Sequence, residues 1–144
     1  MKIAKEFKWE MGHRLSFHEG LCKNIHGHSY KATIEIEGEV DSNGIVLDYY
    51  KLGHIVDSLI SKLDHSFIVQ KDDKIVLDFL KNNSFKHHII SKQTTAENIC
   101  EFMIKELSDT LNVYENLKLI TIKLNETQDS YAEMSMNLNN KKIS

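Results

Sequence analysis

The sequence predicts an α+β fold, an antiparallel four-stranded sheet with two helices packed on one face. Runs in which apolar and charged residues alternate, the pattern of a half-buried strand, occur towards both ends of the chain. Two stretches between them carry apolar residues at helical spacing. The resulting order, strand, strand, helix, helix, strand, strand, fits a layer of helices that covers one face of a sheet.

Composition is that of a globular protein of 144 residues, for which we expect a single domain, residues 1–144. The formal net charge of −3 offers no basic surface for nucleic acid. Two cysteines are too few for a disulfide framework, which fits a cytoplasmic location. Because we find neither a signal-peptide core nor an apolar run long enough for a bilayer, we expect no membrane partner.

The first strand is expected to end at His13. Its apolar positions alternate with charged ones, and His13 falls on the apolar side. These positions are Ile3, Phe7, Trp9 and Met11.

A second alternating run opens with His26 and His28. Residues two apart on a strand point to the same face, about 6.6 Å apart along the chain, so both imidazoles share the apolar face of Tyr30. If the two strands pair, His13 joins them at one end of a shared inner face. Three histidines with an open fourth position are typical of a catalytic zinc site, although the spacing alone leaves coincidence open.

The loop between these strands, residues 14–25, carries Cys22 four residues before His26. It is too long for a tight hairpin and should lie over the end of the sheet, where loops commonly carry function. Spacing leaves Cys22 open between a buried small hydrophobe and a reactive group. We interpret His18, in the same loop, as a solvated side chain.

The first helix is predicted to begin after Asp48, a good N-cap residue, and to deliver Asp64 and His65 at its end. Two interpretations of that pair stay open, a carboxylate that orients an imidazole for proton transfer and an imidazolium stabilised by the helix dipole. The apolar stripe consists of Leu52, Ile55, Val56, Leu59, Ile60 and Leu63.

The segment from Phe67 to Lys92 is the least regular. Apolar residues at positions 75, 77, 79 and 80 indicate a short helix, and residues 88–90 a short strand. We interpret His87 and His88 as surface residues because neighbours on a strand face opposite ways.

The second long helix follows a capping-box pattern made by Thr94 and Glu97. Its apolar stripe includes Cys100, which we expect in the core. Two more strands follow, around residues 120–124 and 132–138, and the polar end, residues 139–144, is expected to fray. Glu126 falls on the apolar side of the third strand, as either a ligand-binding group or a solvated charge at the strand end.

Five short motifs occur in order along the chain: Phe7-x-x-x-x-Gly12-His13-Arg14-Leu15, Cys22-x-x-x-His26-Gly27-His28, Leu63-Asp64-His65, Thr95-Ala96-Glu97-Asn98 and Glu126-Thr127. On these motifs the chain resembles the 6-pyruvoyltetrahydropterin synthase / 6-carboxytetrahydropterin synthase family over residues 1–138. The resemblance implies the tunnelling fold (T-fold) and a homo-oligomer, a hexamer of two trimers with sites between subunits.

The resemblance also implies roles for particular residues. His13, His26 and His28 would bind Zn²⁺, and Cys22 would act as a general base on 7,8-dihydroneopterin triphosphate, the small-molecule substrate. It further implies that Asp64 and His65 handle a second proton, that Glu126 holds the pterin ring, and that Thr95 and Glu97 help to bind substrate.

The short spacing between Cys22 and His26 resembles the prokaryotic, carboxy-forming branch of the family. The implied products are 6-carboxy-5,6,7,8-tetrahydropterin, acetaldehyde and triphosphate, from a carbon-carbon lyase of queuosine biosynthesis. Two alternatives stay open: a 6-pyruvoyltetrahydropterin synthase, and a non-catalytic zinc or pterin-binding protein in which Cys22 is a fourth ligand.

Overall fold

The computed structural model describes residues 1–139, so the fraying predicted for residues 140–144 lies outside the described part. The strands are β1 Lys2–His13, β2 His26–Gly38, β3 Ser66–Gln70, β4 His87–Ile90, β5 Leu117–Asn125 and β6 Tyr131–Asn137. The α-helices are α1 Tyr49–Leu63, α2 Lys74–Asn82 and α3 Ala96–Leu111. A single 3-10 turn, Leu21–Lys23, lies in the loop between β1 and β2.

The strands form one sheet in the order β4-β3-β1-β2-β5-β6. The antiparallel half, β1-β2-β5-β6, is the predicted four-stranded sheet, and the α+β class is confirmed. The sheet nevertheless has two strands more than predicted, because β3 and β4 add in parallel beside β1. β4 corresponds to the short strand expected at residues 88–90, whereas β3, with five residues, is too short for alternation to reveal it.

Strand pairing aligns the apolar sides of β1 and β2. Met11 lies opposite His28 and His13 opposite His26, while the charged residues of both strands point to the other face. The buried face carries α1 and α3, and their apolar stripes complete one continuous core. The Asp48 carboxylate caps α1 by accepting from the backbone N–H groups of Tyr50 and Lys51, as predicted.

The segment between α1 and α3 has its own small core. The predicted short helix and strand are present, as α2 and β4. Ile75 and Phe79 are exposed, because the helix turns Val76, Leu77 and Leu80 towards β3.

Two local expectations are corrected by the structure. His87 and His88 are half-buried rather than on the surface, and the His88 ring packs against Phe102 of α3 at 5.1 Å between ring centres. Thr95 rather than Thr94 caps α3, accepting from the Asn98 N–H, so Glu97 sits one position too early for a capping box.

The chain end is held in place up to residue 139. Asn139 donates its side-chain amide to the backbone carbonyls of Tyr114 and Leu117, so fraying does not begin there. Among the described residues, no helix is long and apolar enough to cross a membrane.

Candidate metal centre and active site

Three histidines converge where β1 ends and β2 begins. His13 is the last residue of β1 and lies opposite His26, while His28 follows on the same face of β2. One side-chain nitrogen of each histidine lies within 4.8 Å of those of the other two. The strand register therefore brings the three imidazoles together at one end of the inner face, close enough to share a metal ion.

Backbone carbonyls fix the ring orientation of two of these histidines. The carbonyl oxygen of Thr94 lies 2.8 Å from His13 Nδ1, and that of Asn24 lies 2.7 Å from His26 Nδ1. A carbonyl can only accept, so each Nδ1 carries the hydrogen and each Nε2 keeps a free lone pair. This is the arrangement by which proteins prepare an imidazole for a metal ion.

A second, independent observation also indicates that these histidines can bind a metal ion. His13 Nε2 is buried and has no hydrogen-bond partner, a costly state unless a ligand satisfies the atom. Burial lowers the pKa of both His13 and His28, which favours the neutral imidazole that binds metals. The residues therefore match an open site with three nitrogen ligands.

Glu126 lies beside the three histidines. Its Oε1 is 3.3 Å from His13 Nε2 and 3.7 Å from His28 Nε2, and it accepts a 3.1 Å hydrogen bond from the Tyr30 hydroxyl. Tyr30 is buried and stacks on Trp9 at 5.5 Å between ring centres. Burial and the nearby carboxylate raise the pKa of Tyr30, so the phenol stays protonated and can donate.

The three residues predicted to bind substrate share one cavity. Thr95, Glu97 and Glu126 line a space of about 340 Å³ between the start of α3 and the end of β5. Leu15, at the start of the loop that carries Cys22, lines the same space. The cavity therefore lies between the helix start and this loop, and Glu126 is its residue nearest to the histidines.

Cys22 lies in the 3-10 turn of the loop between β1 and β2 and is half-buried. Its backbone carbonyl accepts a 2.8 Å hydrogen bond from the Leu15 N–H, which folds the loop back over the end of β1. The metal-ligand cluster found in residues 1–139 comprises the three histidines without the thiol.

Asp64 and His65 form a pair at the end of α1, as predicted. Asp64 Oδ1 lies 2.9 Å from His65 Nδ1 and accepts from the Glu10 N–H, which is the main reason that the pKa of Asp64 is lowered. The backbone N–H of His65 in turn donates to the Glu10 carbonyl. The pair therefore attaches to β1 at a residue whose side chain points away from the core.

A cavity of about 330 Å³ next to His65 includes Ser29 and Glu10 on the polar side of the sheet. Neither Cys22 nor Glu126 lines this cavity. Within one chain, Glu126 shares one cavity with Thr95 and Glu97, while His65 shares the other with the histidine-cluster member His28.

Two residues of the site were not singled out from the sequence. Thr94 is buried, accepts from His13 Nδ1 through its carbonyl and donates its hydroxyl to the Arg14 carbonyl. Tyr30 orients Glu126. Tyr30 could have been found, because it continues the side of β2 that carries His26 and His28, whereas nothing in the local pattern distinguishes Thr94.

The chain is similar to known proteins over nearly its whole length. The 6-pyruvoyl tetrahydropterin synthase family model matches residues 2–137. The chain belongs to this family. Its relatives include the 6-carboxy-5,6,7,8-tetrahydropterin synthase of Haemophilus influenzae, at 36% identity over 92% of this chain and 96% of the relative. The synthase of the same name from Rickettsia conorii is 29% identical over 93% of this chain and 99% of the relative.

Solved structures show the same fold. The 6-pyruvoyl tetrahydropterin synthase of Plasmodium vivax superposes with a TM-score of 0.78 at 17% identity, covering 96% of this chain and 98% of that one. The Caenorhabditis elegans enzyme of the same name gives 0.67 at 23% identity, covering 95% and 94%. These similarities confirm the T-fold architecture predicted from the motifs.

Replacing Glu126 with glutamine is expected to weaken pterin binding and leave the metal in place. The change keeps an acceptor for Tyr30 but removes the charge and one acceptor that a pterin would use. A lost partner of this kind lowers affinity about 5- to 150-fold, and Glu126→Leu should lower it further. Fluorescence titration with a pterin, alongside metal analysis, measures both properties.

Glu133→Gln, a change of an exposed carboxylate on β6, is the matched control and should bind pterin normally. Unchanged pterin affinity in Glu126→Leu would refute the assignment of Glu126 to the pterin. Loss of the metal with Glu126 would instead identify this carboxylate as a metal ligand.

Proposed function

We propose that this protein converts 7,8-dihydroneopterin triphosphate and water to 6-carboxy-5,6,7,8-tetrahydropterin, acetaldehyde and triphosphate, with zinc as cofactor. The reaction would serve queuosine (7-deazapurine) biosynthesis in the cytoplasm, and the chain would act as a single domain. The observation that carries the proposal is the cluster of His13, His26 and His28, with its buried free Nε2, beside Glu126. The names of the Haemophilus and Rickettsia relatives support the carboxy-forming reaction.

The three imidazoles would hold the metal and leave a position open for substrate. When bound, zinc would supply Lewis-acid chemistry to the hydroxyl groups of the substrate side chain. Glu126, kept in place by Tyr30, would accept hydrogen bonds from the pterin amide and amino N–H groups. Thr95 and Glu97 would contact substrate from the opposite wall of the same cavity.

Cys22 would take a proton from the substrate side chain as a general base. Its loop lies over the end of β1, beside the cavity that Leu15 shares with Glu126. A bound divalent cation nearby favours the thiolate form. The Asp64–His65 pair would handle the second proton, since the carboxylate accepts from one ring nitrogen and so orients the imidazole.

A homo-oligomer, a hexamer of two trimers, would bring the separated parts of the site together. His65 lines a different cavity from Glu126, so a neighbouring copy could supply the Asp64–His65 pair to the cavity that holds Glu126. The Cys22 loop exposes three apolar side chains that a neighbour could cover, Phe17, Leu21 and Ile25. In the described structure β4 and β6 each pair on one side only, which leaves edges for joining subunits.

The test of the proposed reaction is its two-carbon product. With 7,8-dihydroneopterin triphosphate, the zinc-loaded protein is expected to release about one acetaldehyde per pterin, because one of the three side-chain carbons stays as the carboxylate. Coupling to alcohol dehydrogenase reports the aldehyde, and mass analysis identifies the pterin. The His26→Ala protein serves as the control for background release of aldehyde.

A second candidate follows from the family description, 6-pyruvoyl tetrahydropterin synthase. A pyruvoyl pterin without acetaldehyde would assign the protein to that branch. Absence of any product from a zinc-loaded protein that binds pterin would instead indicate a binding protein.

A further inference from the structure

The segment between α1 and α3 reaches the active-site loop through one ion pair. Arg14 Nε donates to Asp73 Oδ2 at 2.7 Å, and Arg14 Nη2 donates to Asp73 Oδ1 at 2.6 Å. Asp73 lies just before α2, and its side chain is only 5% exposed. Two parallel hydrogen bonds between planar groups fix orientation as well as distance, so this contact differs from an ordinary surface ion pair.

Arg14 lies between the histidine His13 and the loop that carries Cys22. It follows His13 directly, and its carbonyl accepts a 2.9 Å hydrogen bond from the hydroxyl of buried Thr94. The carbonyl of the same Thr94 holds His13 Nδ1. The Arg14 backbone is thus fixed by the groups that orient the metal ligand, while its side chain extends to Asp73.

The guanidinium group also contacts the far side of the loop. Arg14 Nη1 donates to the carbonyl of Lys23, next to Cys22, at 3.4 Å. The neighbouring N–H of Leu15 donates to the Cys22 carbonyl at 2.8 Å. Arg14 and Leu15 therefore hold two carbonyls of the turn that contains the thiol, those of Lys23 and Cys22.

Asp73 occupies a position where an aspartate carboxylate commonly caps a helix. Here both carboxylate oxygens accept from Arg14. The guanidinium group lowers the pKa of the Asp73 carboxyl, with a smaller contribution from the Val76 N–H in the first turn of α2. The carboxylate therefore connects the loop to the start of α2.

We propose that the Arg14–Asp73 ion pair is a positioning device by which the segment before α2 holds the Cys22 loop closed over the end of β1. Asp73 is then a positioning residue for the thiol, without contact to substrate. The inference deepens the proposed function, since it rests on the assignment of Cys22 as the base. The exposed apolar residues of the loop give it no intramolecular anchor of comparable strength.

Alkylation of Cys22 by iodoacetamide in the folded, zinc-loaded protein tests this inference without reference to turnover. Asp73→Asn is expected to raise the alkylation rate by at least about fivefold, the increase in open loops that follows from losing one net hydrogen bond. Cys100 is buried on α3 and should stay unmodified, which peptide mass analysis verifies. An alkylation rate equal to that of the wild type would overturn the inference.

A double-mutant cycle separates the pair from general destabilisation. If Asp73 acts through Arg14, Arg14→Gln combined with Asp73→Asn should be no more reactive than Arg14→Gln alone, which also removes the contact of Arg14 with the Lys23 carbonyl. If the increases in alkylation rate of the two single variants add in the double variant, the two residues do not act as a pair. Arg14→Lys keeps the charge, loses the two-pronged contact and should fall between wild type and Arg14→Gln. Glu101→Gln, which removes an α3 carboxylate paired with Lys92 and Lys105, is the matched control with wild-type reactivity.

Steady-state kinetics provide a second test of the positioning role of Asp73. Asp73→Asn should lower kcat while KM and metal content stay near wild type, because Asp73 lines neither the pterin cavity nor the histidine cluster. A selective rise in KM, or loss of the metal, would place Asp73 in binding and overturn the positioning role. Should the wild type turn over no pterin, the proposed function fails, and the alkylation cycle alone decides whether the ion pair holds the loop.

Discussion

Replacing His26 with alanine is expected to remove zinc and turnover together. His26 supplies one of three imidazoles whose nitrogens lie within 4.8 Å of one another, and its Nδ1 is already committed to the Asn24 carbonyl. Two imidazoles are one fewer than the three protein ligands of an ordinary catalytic zinc site. The zinc content measured after dialysis should therefore fall from about one ion per chain to background.

The matched control for this variant is His54→Ala, which removes an exposed histidine from α1. It should keep both the metal and the activity. Circular dichroism should show that His26→Ala is folded, because the core of β1, β2, α1 and α3 does not include this side chain. Full zinc content with full turnover in His26→Ala would refute the metal site.

Cys22→Ala is expected to retain zinc and to lose about 10²- to 10⁴-fold in kcat, the usual contribution of a general base. The physical reason is that a thiolate can accept a proton from the substrate, whereas the methyl group of alanine cannot. Cys22→Ser should also be slow, since a hydroxyl is far less acidic than a thiol. Single-turnover kinetics with 7,8-dihydroneopterin triphosphate measure the loss.

Metal analysis of the same variant distinguishes two site types. A general base leaves the zinc content unchanged, whereas loss of zinc with the thiol would establish a closed site of one cysteine and three histidines. Cys100→Ala is the control, because that thiol lies in the core, where Sγ contacts the Ile122 carbonyl at 3.4 Å. It should preserve both zinc and kcat.

Much of the site could be predicted from the period of two along the strands. Side chains alternate between faces for a purely local reason, so the parity of His13, His26 and His28 placed all three on the buried side before any pairing was known. The same reasoning placed Glu126 at the inner end of its strand, where it meets His13. Helical spacing predicted α1 and the Asp48 cap equally well.

Local sequence patterns did not predict the contacts of residues whose partners are distant in the chain. Thr94 resembled the start of a capping box, yet its hydroxyl and carbonyl serve Arg14 and His13, 80 and 81 residues away. Helix α2 is short, and its inward side depends on β3, which adds to β1 in parallel.

The sequence by itself thus determined which side chains face inward, which segments are helical and which family the motifs match. Only the tertiary structure decided that Asp73 meets Arg14 across 59 residues, and that the Asp64–His65 pair attaches to the outward side of β1 at Glu10. The physical reason is the sequence separation over which each interaction acts. Alternation and helical spacing are properties of a few consecutive residues, whereas the contacts of Asp73 and Asp64 exist only after strands from distant parts of the chain have paired.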